Sequence, residues 1–236
     1  MKARRRTLTD TFHHDVFYNE EKDMADFAIK PSAIQTENNA IIVPHARLCE
    51  ILPLMEEAFG YASHINPDLI VILAPLHSPV LDEDLEYCAI TTPQKSVQGR
   101  TFKISIAHPL FTDIVQKISY FEEEPACEEL YPLISKAFPE TEVMPLLSTG
   151  HVTRLRRLID EIRASFKCPL FILSTNISLQ SAKKQDPSVI FEAMKKGTEI
   201  PAGPCGRLWL QAFGGRWKVG SSATKNSVVH FCAANV

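Results

Sequence analysis

Two stretches of this chain are apolar at every position: Leu69–Leu73 (Leu-Ile-Val-Ile-Leu) and Pro169–Leu173 (Pro-Leu-Phe-Ile-Leu). A strand that alternates apolar and polar residues can leave one face in water. A strand apolar on both faces has to be covered on both, as interior parallel strands are. Ala40–Val43 (Ala-Ile-Ile-Val), stopped by Pro44, is a third short run of this kind. Stretches with helical period lie between the runs. Leu48 to Ser63 places Leu48, Ile51, Leu52, Met55 and Phe59 on one face, and Thr153–Ala164 does the same with Leu155, Leu158, Ile159 and Ile162. Strand–helix alternation around fully apolar strands predicts an α/β fold, a three-layer α/β/α sandwich with a central mixed, mostly parallel sheet.

The remaining elements follow the same reading. Tyr87–Thr92 and Phe102–Ile106 read as strands, taken as an antiparallel pair at a sheet edge. Pro109–Ile118 and Cys127–Ala137 read as helices, and Glu142–Leu147 as a strand. Pro187–Lys196 and Gly206–Phe213 read as helices, and strands near Trp217–Ser221 and Val228–Ala233 close the chain. With 236 residues, 45% of them hydrophobic, there is enough chain for one full core. We therefore read residues 1–236 as a single domain whose first 30 residues form a partly extended N-terminal segment.

The net charge of −3 argues against nucleic acid or an anionic membrane as a partner. The one basic cluster, Lys2 to Arg6, reads as a solvated tail. Neither a membrane-length apolar run nor a signal peptide is evident, so a cytoplasmic protein is expected. Six cysteines lie scattered without a Cys-x-x-Cys pair, which fits neither a disulfide framework nor a zinc ribbon.

Sites in open α/β sheets form beyond the carboxyl ends of the strands. Three central strands here run into polar residues at that position: Pro44-His45, Ala74-Pro75-Leu76-His77, and Ser174-Thr175-Asn176. If the strands carrying the two histidines are neighbours, about 4.8 Å apart, the imidazoles can converge. Two imidazoles at one place read as half of a metal centre or as hydrogen-bonded loop residues, and the pattern alone leaves both open. His151 sits either on the same surface or at a helix cap. His13 and His14 are either pocket-lining or solvated. Glu122–Glu124 reads as an exposed loop and Gly214-Gly215 as a turn.

Four blocks in order resemble the Memo family, which is similar in fold to the class III extradiol dioxygenases. They are Ala40–Ala46 (Ala-Ile-Ile-Val-Pro-His-Ala), Ile72–Ser78 (Ile-Leu-Ala-Pro-Leu-His-Ser), Phe171–Asn176 (Phe-Ile-Leu-Ser-Thr-Asn) and Pro204–Arg207 (Pro-Cys-Gly-Arg). Weaker likenesses at Phe12–Tyr18 and Glu124–Pro132 extend the match over most of the chain. The resemblance implies a pocket in which His45, His77 and Cys205 hold a metal, iron or copper suiting that donor set. It also implies Arg207 as a cation favouring the thiolate, and His13 as a pocket residue.

The departures from the family's pattern are also specific. Its Asp is Asn176 here and the His three positions later is Leu179. Two further histidines are Pro125 and Leu130, leaving Glu128 as the carboxylate of that block. The resemblance thus implies a divergent Memo-like protein that binds a metal ion or small molecule and has lost acid–base groups. The alternative is a metal-free, inactive binding or scaffold module with a protein partner. A third, less favoured reading is an active extradiol-type dioxygenase using Glu128.

Overall fold

The computed structural model of the protein describes residues 20–77, 89–91, 96–107, 115–116, 120–121, 124–148, 150–180 and 186–236. His13, His14, Lys2–Arg6, Cys88, Glu122 and Glu123 lie outside the described residues. The elements, in chain order, are α1 (Glu20–Asp26), β1 (Ala40–Val43), α2 (Leu48–Tyr61), β2 (Leu69–Pro75), β3 (Ala89–Thr91), β4 (Ser96–Gln98), β5 (Lys103–Ser105) and β6 (Val115–Gln116). They continue with α3 (Pro125–Glu128), α4 (Tyr131–Ala137), β7 (Val143–Ser148), α5 (Val152–Ser165), β8 (Pro169–Ser174) and β9 (Ile177–Ser178). The chain closes with α6 (Pro187–Lys196), α7 (Arg207–Phe213), β10 (Trp217–Lys225) and β11 (Val228–Asn235).

The main sheet runs β10-β11-β1-β8-β2-β7-β3-β6, with β9 paired to β11. Its centre, β1-β8-β2-β7, is parallel, and antiparallel pairings flank it at β11–β1 and β7–β3. Successive strand residues point to opposite faces, and here both faces are apolar and covered. Ile41, Val43, Ile70, Ile72 and Ala74 pack with α2, α3 and α4 on one side. Ala40, Ile42, Leu69, Val71 and Leu73 pack with α5, α6 and α7 on the other. All seven residues of β2 are buried. This is the three-layer α/β/α arrangement, and the double-sided apolar runs are its cause.

Several details differ from the sequence reading. The expected antiparallel pair does not form: β5 pairs with the unforeseen β4, while β3 lies between β7 and β6 in the main sheet. Val115–Gln116 is a strand inside the stretch read as a helix over 109–118. The helix expected over 127–137 is two short helices, α3 and α4, broken at Glu129–Leu130. The N-terminal segment, read as partly extended, carries helix α1 over Glu20–Asp26. Strands β10 and β11 run longer than expected because their hairpin closes on Asn226-Ser227, both at positive φ, the geometry of a tight primed turn. Among the described residues no helix is long and apolar enough to cross a membrane.

The correction that matters most for the site concerns strand order. Strands β1 and β2 are not neighbours, because β8 lies between them, parallel to both. The two histidines therefore converge across the end of β8, where Ser174, Thr175 and Asn176 emerge.

Candidate metal centre

His45 leaves the end of β1 after Pro44, and His77 leaves β2 two residues past Pro75. Cys205 sits on the turn ahead of α7 and is brought over the end of β8. The three side chains offer ligand atoms that all lie within 4.8 Å of one another, a group that could hold a metal ion. The imidazoles of His45 and His77 meet edge to face with ring centroids 5.1 Å apart, and His45 Nε2 lies 3.6 Å from Cys205 Sγ.

Each ligand is held from behind. His45 Nδ1 is hydrogen-bonded to Ser174 Oγ at 2.9 Å, so its Nε2 faces the sulfur. His77 Nδ1 lies 2.9 Å and 3.0 Å from the two Glu124 carboxylate oxygens. An ionised carboxylate only accepts, so Nδ1 carries a proton and Nε2 is the nitrogen turned toward the sulfur. A carboxylate behind a histidine that turns its other nitrogen inward is the usual outer layer of a metal site. Cys205 Sγ accepts the Asn176 N–H at 3.1 Å and lies 3.6 Å from Thr175 Oγ1.

The 3.6 Å separation of His45 Nε2 and Cys205 Sγ suits a shared metal. In a tetrahedral centre with metal–nitrogen bonds of about 2.0–2.1 Å and a metal–sulfur bond of about 2.3 Å, nitrogen and sulfur stand about 3.6 Å apart. His77 has a side-chain exposure of 44%, so one side of the group is open to solvent.

The electrostatics are those of a thiolate between imidazoles. Burial pushes the Cys205 thiol up, but the His45 charge, hydrogen bonds from His45 and His77, and the Asn176 N–H outweigh it. The thiol falls well below its ordinary range. His77 is held up at about 10 by its hydrogen bonds to Cys205 and Glu124, against the opposing effect of burial.

Glu124 corrects the sequence reading. It was grouped with an exposed carboxylate run, yet it is fully buried. It caps α3 by accepting from Ala126 N at 3.1 Å, and it takes the His77 backbone N–H at 2.6 Å as well as the ring. The one local signal it offers concerns its capping role: an acidic residue directly before Pro125, which occupies the first helical position. Glu128 is buried on α3 and is not among the three grouped ligands. Asn176 does reach the site, as a hydrogen-bond partner of Cys205 and His45. Arg207 is directed elsewhere: its Nε donates to the Ile200 carbonyl at 2.7 Å and its guanidinium pairs with Glu199. The side chains beside Cys205 are the imidazoles of His45 and His77. His151 takes the N-cap position of α5 without a side-chain cap bond.

The glycine of Cys-Gly-Arg has a steric reason. A Cβ on Gly206 would lie 2.9 Å from Thr175 Cβ and 3.0 Å from the Ser174 carbonyl oxygen, while Gly206 N–H donates to Thr175 Oγ1 at 2.9 Å. Gly206→Ala should lift the Cys205 turn off the end of β8, at a cost of about 1–3 kcal/mol in chemical denaturation.

Glu129 is a second carboxylate that the sequence did not single out. It is 1% exposed, and its Oε2 accepts Ala46 N–H at 2.8 Å. Its Oε1 has no hydrogen-bond partner among the described residues. Burial, reinforced by Glu124 and Glu128 and opposed by the Ala46 N–H, holds this carboxyl well above the ordinary 4.5. The folded state thus keeps a proton that the unfolded chain has released. Its stabilising contribution is full below pH 4.5 and is lost as pH rises through the folded value. Thermal unfolding of Glu129→Gln should therefore show a stability gain over wild type that grows between about pH 5 and 8. A constant difference across that range would contradict this assignment.

Set against protein-family models and proteins of curated function, the chain matches none.

Proposed function

We propose that this is a divergent Memo-like protein that holds a metal ion, iron or copper, in a strand-end pocket through His45, His77 and Cys205. The observation that carries the proposal is the convergence of two outer-supported imidazoles and one thiolate within 4.8 Å. Imidazole and thiolate together suit these metals. When bound, such a metal supplies Lewis-acid or one-electron redox chemistry. This chain's residues orient the donors, keep Cys205 deprotonated, and leave the His77 side open. Because His77 must release its proton to bind, metal retention should weaken as pH falls.

The test is metal content after anaerobic purification with iron(II) or copper(I). Wild type should retain close to one equivalent, and His45→Ala/His77→Ala should retain about a hundredfold less. Equal content in the two proteins would sink the proposal.

A second reading, a metal-free binding module, is favoured by the same contacts seen as hydrogen bonds, since a 3.6 Å Nε2–Sγ approach also suits an imidazolium–thiolate pair. Under it, Cys205→Ser lowers stability and leaves metal content unchanged. Extradiol-type dioxygenase chemistry is disfavoured because it calls for a carboxylate ligand beside two histidines. Glu128, the carboxylate that reading uses, is not among the grouped donors, and Glu124 is committed to His77 Nδ1 and to backbone N–H groups.

A further inference from the structure

Asn176 is where the histidine-bearing and cysteine-bearing loops meet. Its N–H donates to Cys205 Sγ at 3.1 Å and its carbonyl accepts Cys205 N–H at 3.0 Å. Its side-chain Nδ2 donates to the His45 carbonyl at 2.6 Å. That last bond requires an amide, because a carboxylate oxygen there would face the carbonyl oxygen with no hydrogen between them. A carboxamide, however, can present either oxygen or nitrogen after a half-turn of nearly the same shape. The His45 carbonyl favours the nitrogen end, and a second partner that donates to Oδ1 fixes that choice more firmly.

His230 is that partner. Its Nδ1 lies 2.9 Å from Asn176 Oδ1, and the residue is 7% exposed. An amide oxygen accepts, so His230 Nδ1–H donates and pins Oδ1, which leaves Nδ2 aimed at His45. The placement follows from strand pairing. Val228 and Val229 of β11 lie opposite Ser178 and Ile177 of β9, and continuing that antiparallel register by one residue sets His230 opposite Asn176.

We infer that His230 is a positioning residue of the His45/His77/Cys205 centre, acting through Asn176 to keep the His45 loop and the Cys205 sulfur at ligand separation. The inference rests on the metal-binding proposal above. Asn176 is then a working part of the site, oriented by an imidazole from a strand outside the three that carry the pocket motifs.

The experiment is an anaerobic cobalt(II) titration of the full chain, following the sulfur-to-cobalt charge-transfer band, with circular dichroism to establish folding. His230→Leu should bind cobalt about 10- to 100-fold more weakly than wild type, as outer-layer losses do at metal sites. His230→Asn carries an N–H where the imidazole Nδ1 stood and should bind within about threefold of wild type. His230→Gln carries its N–H one carbon further out and should bind as weakly as the leucine variant; it carries the comparison if His230→Leu does not fold. Leucine and glutamine variants that match wild type, or an asparagine variant as weak as leucine, would overturn the positioning role alone. A missing charge-transfer band in wild type would overturn it together with the metal proposal, and that failure is visible before any variant is made.

Discussion

Glu124→Ala is expected to lower the stability of the protein by about 3 kcal/mol and, on the metal-binding proposal, to weaken metal retention by about 10- to 100-fold. The wild-type carboxylate is fully buried and serves three N–H groups at once: the His77 backbone, the His77 ring and the first turn of α3. Removing it takes away a helix cap, worth about 1 kcal/mol. It also leaves buried donors unpaired at about 1–3 kcal/mol each, with the exposed part of His77 recovering some of that from water. The imidazole loses the acceptor that fixes its Nδ1 proton, so it no longer presents Nε2 alone to the sulfur. Urea denaturation reads the first effect and metal content after dialysis the second. Glu124→Gln, which keeps one acceptor oxygen, should fall between wild type and Glu124→Ala on both. A Glu124→Ala protein as stable as wild type would show that the carboxylate does not support the site.

Trp209→Ala should be the most destabilising single change in this region, at about 3–5 kcal/mol. Trp209 is among the largest fully buried side chains, and its indole Nε1–H donates to the Ala74 carbonyl at 2.9 Å. That bond ties α7, which follows the Cys205 turn, to β2 just before the chain turns out to His77. Loss of the ring empties the core beneath α7 and leaves the Ala74 carbonyl without this donor. At about 2–4 °C per kcal/mol for a chain of this size, the melting temperature should drop by roughly 6–20 °C. Trp209→Phe retains most of the bulk and loses the N–H, and should cost about 1–3 kcal/mol. If the two variants melt together, the hydrogen bond outweighs the packing and the assignment of the cost to burial is wrong.

Where the sequence misleads here, the reasons are particular. Glu124 looked like part of a charged run because Glu122, Glu123 and Glu124 are alike in composition, while only three-dimensional placement buries the last beneath His77. Residues 127–137 read as one helix, but the break at Glu129–Leu130 turns Glu129 inward to meet Ala46 N–H, a partner 83 residues away in the chain. Arg207 sits two residues from Cys205, so proximity in sequence suggested proximity of charge. The helix start sends its guanidinium to Ile200 and Glu199 instead. His230 offers no local signal at all, lying in the middle of an apolar strand.

Leu69–Leu73 and Pro169–Leu173, with Ala40–Val43, determined by themselves that the chain forms a two-sided sheet. Burial of apolar area is largely independent of who the neighbour is, so composition along a strand suffices. The polar residues at the ends of those strands marked where a site would form, because strand ends are where such sheets leave backbone and side chains uncovered. Only the tertiary structure decided that β8 lies between β1 and β2, that Cys205 closes over its end, and that Glu124, Ser174 and His230 stand behind the donors. Those are directional contacts of about 3 Å between residues from 47 to 160 positions apart. No local pattern encodes them, because strand order and register set them.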